Sequence, residues 1–401
     1  MGAKSADRNN LAAWRSRTVR AGSGGRCSPR RPKRGAAMTG VAVRVGSGIV
    51  LAAAAGLAVL TWVSSNRAIH PGTETYTWSL RDYPELRPHE VNLPSSTGVN
   101  IAGRFFPGRQ PETVILSHGY GGSQDEMLPV AASLHAAGLS VFTYDLRGSG
   151  RSQGEVTFGS LEQKDLISVV DYLQRRPDVD QDRIGALGFS MGAAVPLLAA
   201  AEDTRIKAVV SDSAWSDVNH WLRPSLGQIL THPIAPFSTL SLKLAEWRTG
   251  ADLSALRPVQ RVARLTQRPL LLIHGSSDAV VPASDSDELF AAAGEPKELW
   301  QKDGAGHGDT MRLPEYGERV TRFFRQALQR PANTSTGSGG NEGCNASPEP
   351  PSSVKPLAHE LAHSLTPPPG QRNASRTAGE TCHWIYWCAR PGSISAAHRS
   401  I

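Results

Sequence analysis

The chain is expected to fold as an α/β protein built on a largely parallel sheet flanked by helices, and three observations predict it. Between about His70 and Gln329, short apolar runs alternate with helix-like segments. Those runs are apolar throughout rather than alternating, as strands buried on both faces require. The pentapeptide Gly188-Phe189-Ser190-Met191-Gly192 stands between one such run and a small-residue helix, where a sharp strand-to-helix turn belongs.

Taken in order, the expected strands are Thr113–Ser117, Ser140–Tyr144, Ile184–Gly188, Ile206–Ser211 and Leu270–Ile273, with a further one near Glu298–Gln301. Helices are expected over Leu161–Gln174 and Met191–Ala201, and a last one near Pro314–Gln329. The stretch from Ser213 to Leu270 is too long for an ordinary connection. It holds Trp215, Trp221, Leu222, Leu226, Ile229 and Leu230, broken by Pro224, Pro233 and Pro236. A partly helical cap over about 213–268 is the reading. Residues 331–401 are rich in Pro, Ser and Gly and read as a disordered tail.

Charge is unevenly spread. Residues 1–40 carry ten Lys or Arg against the single acid Asp7, whereas the remaining 361 residues hold 33 basic and 35 acidic side chains. The net +7 therefore belongs to a basic N-terminal arm. A near-neutral body gives no electrostatic reason to expect nucleic acid. Residues 41–63 form an apolar segment, free of charge from Val45 to Val63 and close to the ~20 residues that cross a bilayer. Basic residues before it, Arg44 included, place the N-terminus in the cytoplasm and the body outside. An uncleaved single-pass anchor is favoured; a cleaved signal peptide and a buried soluble helix are the alternatives. Residues 1–37 are either a cytoplasmic arm or an extension upstream of a start at Met38. Cys27, Cys344, Cys382 and Cys388 all lie outside residues 70–330, so neither a disulfide nor a thiolate is expected to serve the body.

The residues that carry chemistry follow the chain. A serine hydroxyl is a poor nucleophile until a base takes its proton. Ser190 has glycines at Gly188 and Gly192, which let the elbow's neighbouring chain pass without Cβ clashes. His307, between Gly306 and Gly308 in a loop after the last expected strand, is the base. Asp278, after LLLIHG, is the acid that would fix the imidazole's tautomer and stabilise its protonated form. Asp212 and Asp217 compete for that role, while Asp285 and Asp287 read as solvated helix residues. In His118-Gly119-Tyr120-Gly121-Gly122, the N–H of Tyr120 joins that of Met191 as an oxyanion donor. His118 reads as a structural brace, and Arg147 in Asp145–Ser152 as an internally paired side chain. His359-Glu360-Leu361-Ala362-His363 has zinc-site spacing, but its proline-rich surroundings offer no rigid cleft, and it reads as accidental.

Together HGYGG, YDLRGSGRS, GFSMG, IHGSSDAVVP and GAGHGD, in this order, resemble the α/β-hydrolase superfamily over about residues 86–328. The likeness is to its serine hydrolases of the lysophospholipase and serine-aminopeptidase type. It implies hydrolysis of carboxylic esters, thioesters or, less often, amides through an acyl-enzyme, with no cofactor. The expected substrate is a small acyl ester or lipid-like molecule. A peptidase on the same residues and a non-catalytic binding module on the same fold are the competing readings.

Overall fold

The computed structural model describes residues 34–72, 78–222 and 235–329. The cap residues Leu226, Ile229 and Leu230, the His359–His363 motif, all four cysteines and the 331–401 tail lie outside the described residues. The chain divides into two units, Met1–Ala58 and Val59–Ile401.

In the larger unit an eight-stranded sheet runs β1(His89–Pro94), β2(Asn100–Phe106), β3(Thr113–Ser117), β4(Ser140–Tyr144), β5(Ile184–Phe189), β6(Ile206–Asp212), β7(Leu270–Gly275) and β8(Lys297–Lys302) along the chain. In space the order is β1-β2-β4-β3-β5-β6-β7-β8. The first two pairings, β1 with β2 and β2 with β4, are antiparallel, and every later pairing is parallel. The five apolar runs read from sequence are the sheet's centre. The β1–β2 hairpin was not among the expected elements; it turns at Ser95-Ser96-Thr97-Gly98, with Gly98 at φ 85°.

Alternate side chains of the central strands feed opposite faces, as the period of two demands. On one face Val114, Leu116, Leu187, Val210 and Ile273 pack with α2(Leu128–Ala136) and α7(Pro314–Ala327). On the other, Ile115, Ala186, Val209 and Leu272 pack with α3(Glu162–Gln174), α4(Met191–Glu202) and α6(Ser284–Ala292). Trp215, Val218, Trp221 and Leu222 join that second face from the Ser213–Leu270 stretch, which also carries α5(Ala235–Thr249). The doubly covered sheet explains why its strands read as unbroken apolar runs.

One helix, α1(Arg34–Ile69), extends beyond the apolar segment at both ends. Its Arg44–Ile69 portion is long and apolar enough to cross a membrane. Its last turns belong to the larger unit, where Ser65, Ala68 and Ile69 are buried.

Asp285, expected as a solvated helix residue, is instead buried. Its carboxylate accepts the Ser216 N–H at 2.9 Å and faces His220 Nδ1 at 3.1 Å, tying α6 to the chain after β6. Its position in the helix's first turn, among Ser284, Ser286 and Asp287, hid that role. Asp287 is exposed, as expected.

The Asp145–Ser152 turn is braced as its sequence suggests. Arg147 and Asp165 form a buried two-pronged pair, Nε to Oδ2 at 2.7 Å and Nη2 to Oδ1 at 3.0 Å. Removing Arg147 leaves Asp165 charged and buried without its counter-charge. Arg147→Ala is expected to destabilise the fold by about 3–5 kcal/mol in chemical denaturation. A loss under about 1 kcal/mol, the range of exposed pairs, would contradict the brace.

Candidate active site

The parallel strands end together, and the loops leaving β3, β5, β7 and β8 carry the residues that matter. Ser190 follows β5 directly and begins the turn into α4, at φ 56° and ψ −123°. That conformation is strained for a residue with a Cβ, and the surroundings hold it. The Ser190 N–H donates to the Asp212 carbonyl at 2.8 Å, and the Ser190 carbonyl accepts from Ala193 at 2.9 Å. A Cβ on Gly188 would collide with the Gly192 carbonyl, and one on Gly192 with the His118 carbonyl. Both glycines are therefore needed for the close approach that raises the serine above the sheet.

His307 stands in the loop after β8. Its Nε2 lies 2.8 Å from Ser190 Oγ and its Nδ1 2.7 Å from Asp278 Oδ2. The Asp278 side chain is fully buried and His307 is partly open to solvent. An ionised carboxylate only accepts, so Nδ1 carries the hydrogen and Nε2 is left to accept from the serine hydroxyl. Residues from three loops, far apart in sequence, thus form one continuous relay. The Phe189 ring, 5.1 Å from the imidazole between centroids, supports it from the side.

Asp278 is held ionised by its partners. Burial alone pushes its carboxyl up, but hydrogen bonds from His274 and His307 and the backbone N–H groups outweigh it. The result lies well below the ordinary carboxylate range. Oδ1 accepts from Val280 and Val281, both at 2.8 Å, so the turn after β7 clamps the side chain. His274 was not singled out from sequence. It is buried on β7, with Nε2 3.0 Å from the Val281 carbonyl and 3.4 Å from Asp278 Oδ2. Burial lowers its basicity, yet Asp278 and that carbonyl more than compensate and raise it. A histidine four residues ahead of an acid was the available signal.

The competing acids are placed elsewhere. Asp212 is buried beneath the site, accepting from Thr310 Oγ1 at 2.9 Å and Ser213 Oγ at 2.9 Å, and burial pushes its carboxyl up. Asp217 pairs with Arg257 at 2.7 Å. Neither is hydrogen-bonded to His307 among the contacts described.

The Gly119–Gly122 loop is anchored rather than loose. The Gly119 N–H donates to a Glu126 carboxylate oxygen at 2.7 Å, a contact that sequence reasoning missed. His118 is fully buried, with Nδ1 2.7 Å from the Gly119 carbonyl and Nε2 accepting the Leu146 N–H at 2.9 Å. Burial lowers its pKa, in keeping with the neutral form those contacts need. It is the structural brace expected of it. Met191 is the first residue of α4, so its N–H is among the helix's orphan donors, and Tyr120 opens the facing loop. The Tyr120 ring stacks on Phe158 at 5.9 Å and meets Trp221 edge-on at 5.7 Å, which brings the 213–268 stretch to this loop.

Such a relay can move a proton from a serine hydroxyl to an imidazole while a buried carboxylate balances the charge. The sequence profile of the X-Pro dipeptidyl-peptidase (S15) family matches residues 64–307, which contain Ser190, Asp278 and His307. The chain belongs to that family. It is an α/β-hydrolase of the serine-hydrolase type. Other proteins are similar to this chain as well. The uncharacterized protein YfhR of Salmonella typhi is 29% identical over 59% of this chain and 79% of its own length. An uncharacterized protein of Mycobacterium tuberculosis is 28% identical over 65% of this chain and 86% of its own. Among solved structures, the Pyrococcus furiosus esterase Pf2001 is 25% identical, with a TM-score of 0.55, over 65% of this chain and 100% of its own. Within the superfamily, the matched family is thus named for a peptidase and a similar structure for an esterase.

Two outcomes test the relay. Asp278→Asn is expected to lower kcat by about 10⁴-fold, because the amide favours the wrong imidazole tautomer; a loss under about tenfold would remove Asp278 from the relay. A carboxyl depressed in the folded state stabilises the fold above its unfolded pKa, about 3.9, and the stabilisation is lost as pH falls through the folded value. The stability difference between wild type and Asp278→Asn should accordingly shrink steadily as pH falls below about 4. A difference independent of pH down to about 2 would contradict the ionised, clamped carboxylate.

Proposed function

We propose that the protein is a membrane-anchored serine hydrolase that cleaves carboxylic ester or thioester bonds through an acyl-enzyme, with Ser190 as nucleophile, His307 as base and Asp278 as its orienting acid. The observation that carries the proposal is the unbroken Ser190–His307–Asp278 relay at 2.8 and 2.7 Å. Ser190 Oγ attacks the substrate carbonyl carbon as its proton passes to His307 Nε2. The backbone N–H groups of Tyr120 and Met191 receive the oxyanion. Collapse breaks the bond to the leaving oxygen or sulfur, which takes the proton from His307. Water then repeats the sequence against the acyl-serine and frees the acid. None of these steps calls for a metal or cofactor.

The similarity to the Pyrococcus furiosus esterase favours the ester reading. So does the aromatic packing of Tyr120 with Phe158 and Trp221, which gives this loop apolar surroundings. The peptidase reading is kept because the matched family is one of X-Pro dipeptidyl-peptidases. For the anchor, the support is the 26-residue Arg44–Ile69 stretch of α1, which holds an 18-residue window of mean hydropathy 1.9. The basic arm before it favours an extracytoplasmic catalytic unit.

Turnover of a p-nitrophenyl ester series from acetyl to decanoyl, set beside an X-Pro-arylamide, tests the proposal. The expected result is ester kcat/KM at least about 10²-fold above the arylamide, highest at medium chain length, and abolished in Ser190→Ala. Faster cleavage of the arylamide would transfer the assignment to the peptidase. A preference for acetyl esters would remove the acyl pocket.

A further inference from the structure

Helix α5 exposes side chains that a helix facing only water has no reason to expose. Ser241 and Ala245 are buried on its inner side, whereas Trp247 is 81% and Leu240 47% exposed. Leu240, Lys243 and Trp247 fall at i, i+3 and i+7, so they form one outward stripe. Scattered single apolar residues on a surface are ordinary. These are not scattered, because the end of α5 is fastened to the end of α1. Arg248 Nη2 donates to Asn66 Oδ1 at 3.1 Å, and its guanidinium lies 5.7 Å from the centre of the Trp62 ring. Trp62 is itself 54% exposed, beside exposed Val59 and Leu60. The two open tryptophans therefore flank a single junction, and the apolar run of α1 ends at Val63, within that junction.

The chemistry of this surface is that of a bilayer's interfacial layer. Tryptophan favours that layer because its ring is apolar and its N–H polar. Arg67, exposed at the end of α1, and Lys243, on the stripe and paired with Glu246 at 2.6 Å, put basic groups at this surface, where anionic headgroups would meet them. The junction also touches the catalytic loop: the Tyr120 hydroxyl donates to the Ala68 carbonyl at 2.9 Å, while the Tyr120 backbone belongs to the loop proposed to hold the oxyanion.

Resting on the reading of α1 as a membrane anchor, we infer that the outward stripe of α5 docks with Trp62 into the headgroup layer of the bilayer. The site thereby opens beside the membrane and takes acyl esters that reside in it. Leu240 and Trp247 serve delivery and do not touch the reacting atoms.

The test uses the full-length protein in vesicles of phosphatidylcholine and phosphatidylglycerol. A nitroxide placed by Trp247→Cys, with the four native cysteines replaced by serine, is compared with one placed by Glu318→Cys on α7. The label at position 247 should be several-fold more accessible to oxygen than to a water-soluble nickel chelate, and the label at position 318 the reverse. The double variant Leu240→Asp, Trp247→Asp should lose about tenfold or more in turnover of a vesicle-embedded diacylglycerol, while a soluble p-nitrophenyl ester is cleaved within about twofold of wild type. Equal nickel accessibility at the two positions, in protein that stays with the vesicles through a carbonate wash, overturns the docking and leaves the anchor standing. An equal loss on both substrates also overturns it. Release of the protein by the carbonate wash overturns the anchor, and the docking with it.

Discussion

Everything at the site depends on keeping one carboxylate, that of Asp278, charged while it is buried. Charge in a low-dielectric interior is costly unless it is met on every side. The turn after β7 supplies two backbone N–H groups, and His307 and His274 supply the rest. Because the carboxylate can only accept, it dictates where the hydrogen sits on His307 and leaves Nε2 facing the serine. The fold's parallel order makes this possible, since β5 and β7 flank β6 and deliver Ser190 and Asp278 to the same edge of the sheet.

The serine is fixed by an independent device, steric rather than electrostatic. The neighbouring chain passes so close to Gly188 and Gly192 that neither position has room for a Cβ. The strained backbone of Ser190 is tolerated because its N–H and carbonyl are both engaged. Buried braces, Arg147 with Asp165 and His118 with the Gly119 and Leu146 backbone, hold the surrounding loops. Rigidity is thus concentrated around the relay, as preorganised catalysis requires.

What the sequence made legible was whatever chemistry is local. The central strands show because burial on both faces leaves them apolar throughout, and the elbow shows because its glycines stand within two residues of Ser190. The β1–β2 hairpin did not show, since Asn92, Pro94, Asn100 and Gly103 interrupt its apolar residues and its order comes from pairing. Glu126 was missed for a different reason, and so was His274 apart from its place four residues ahead of Asp278. Their roles arise from contacts that the fold creates. Asp285 was misjudged because a carboxylate in a helix's first turn reads as exposed until a neighbouring loop covers it. The stripe on α5 is legible only once the opposite side of that helix is seen to be buried.

The most direct measurement of the central claim is fluorophosphonate labelling of the intact protein, followed by mass spectrometry of its peptides. One adduct per chain is expected, on Ser190, with labelling of His307→Ala slowed by orders of magnitude. A folded wild-type protein that remains unlabelled, or an adduct on any other residue, would contradict the claim that the buried Asp278 carboxylate activates this serine.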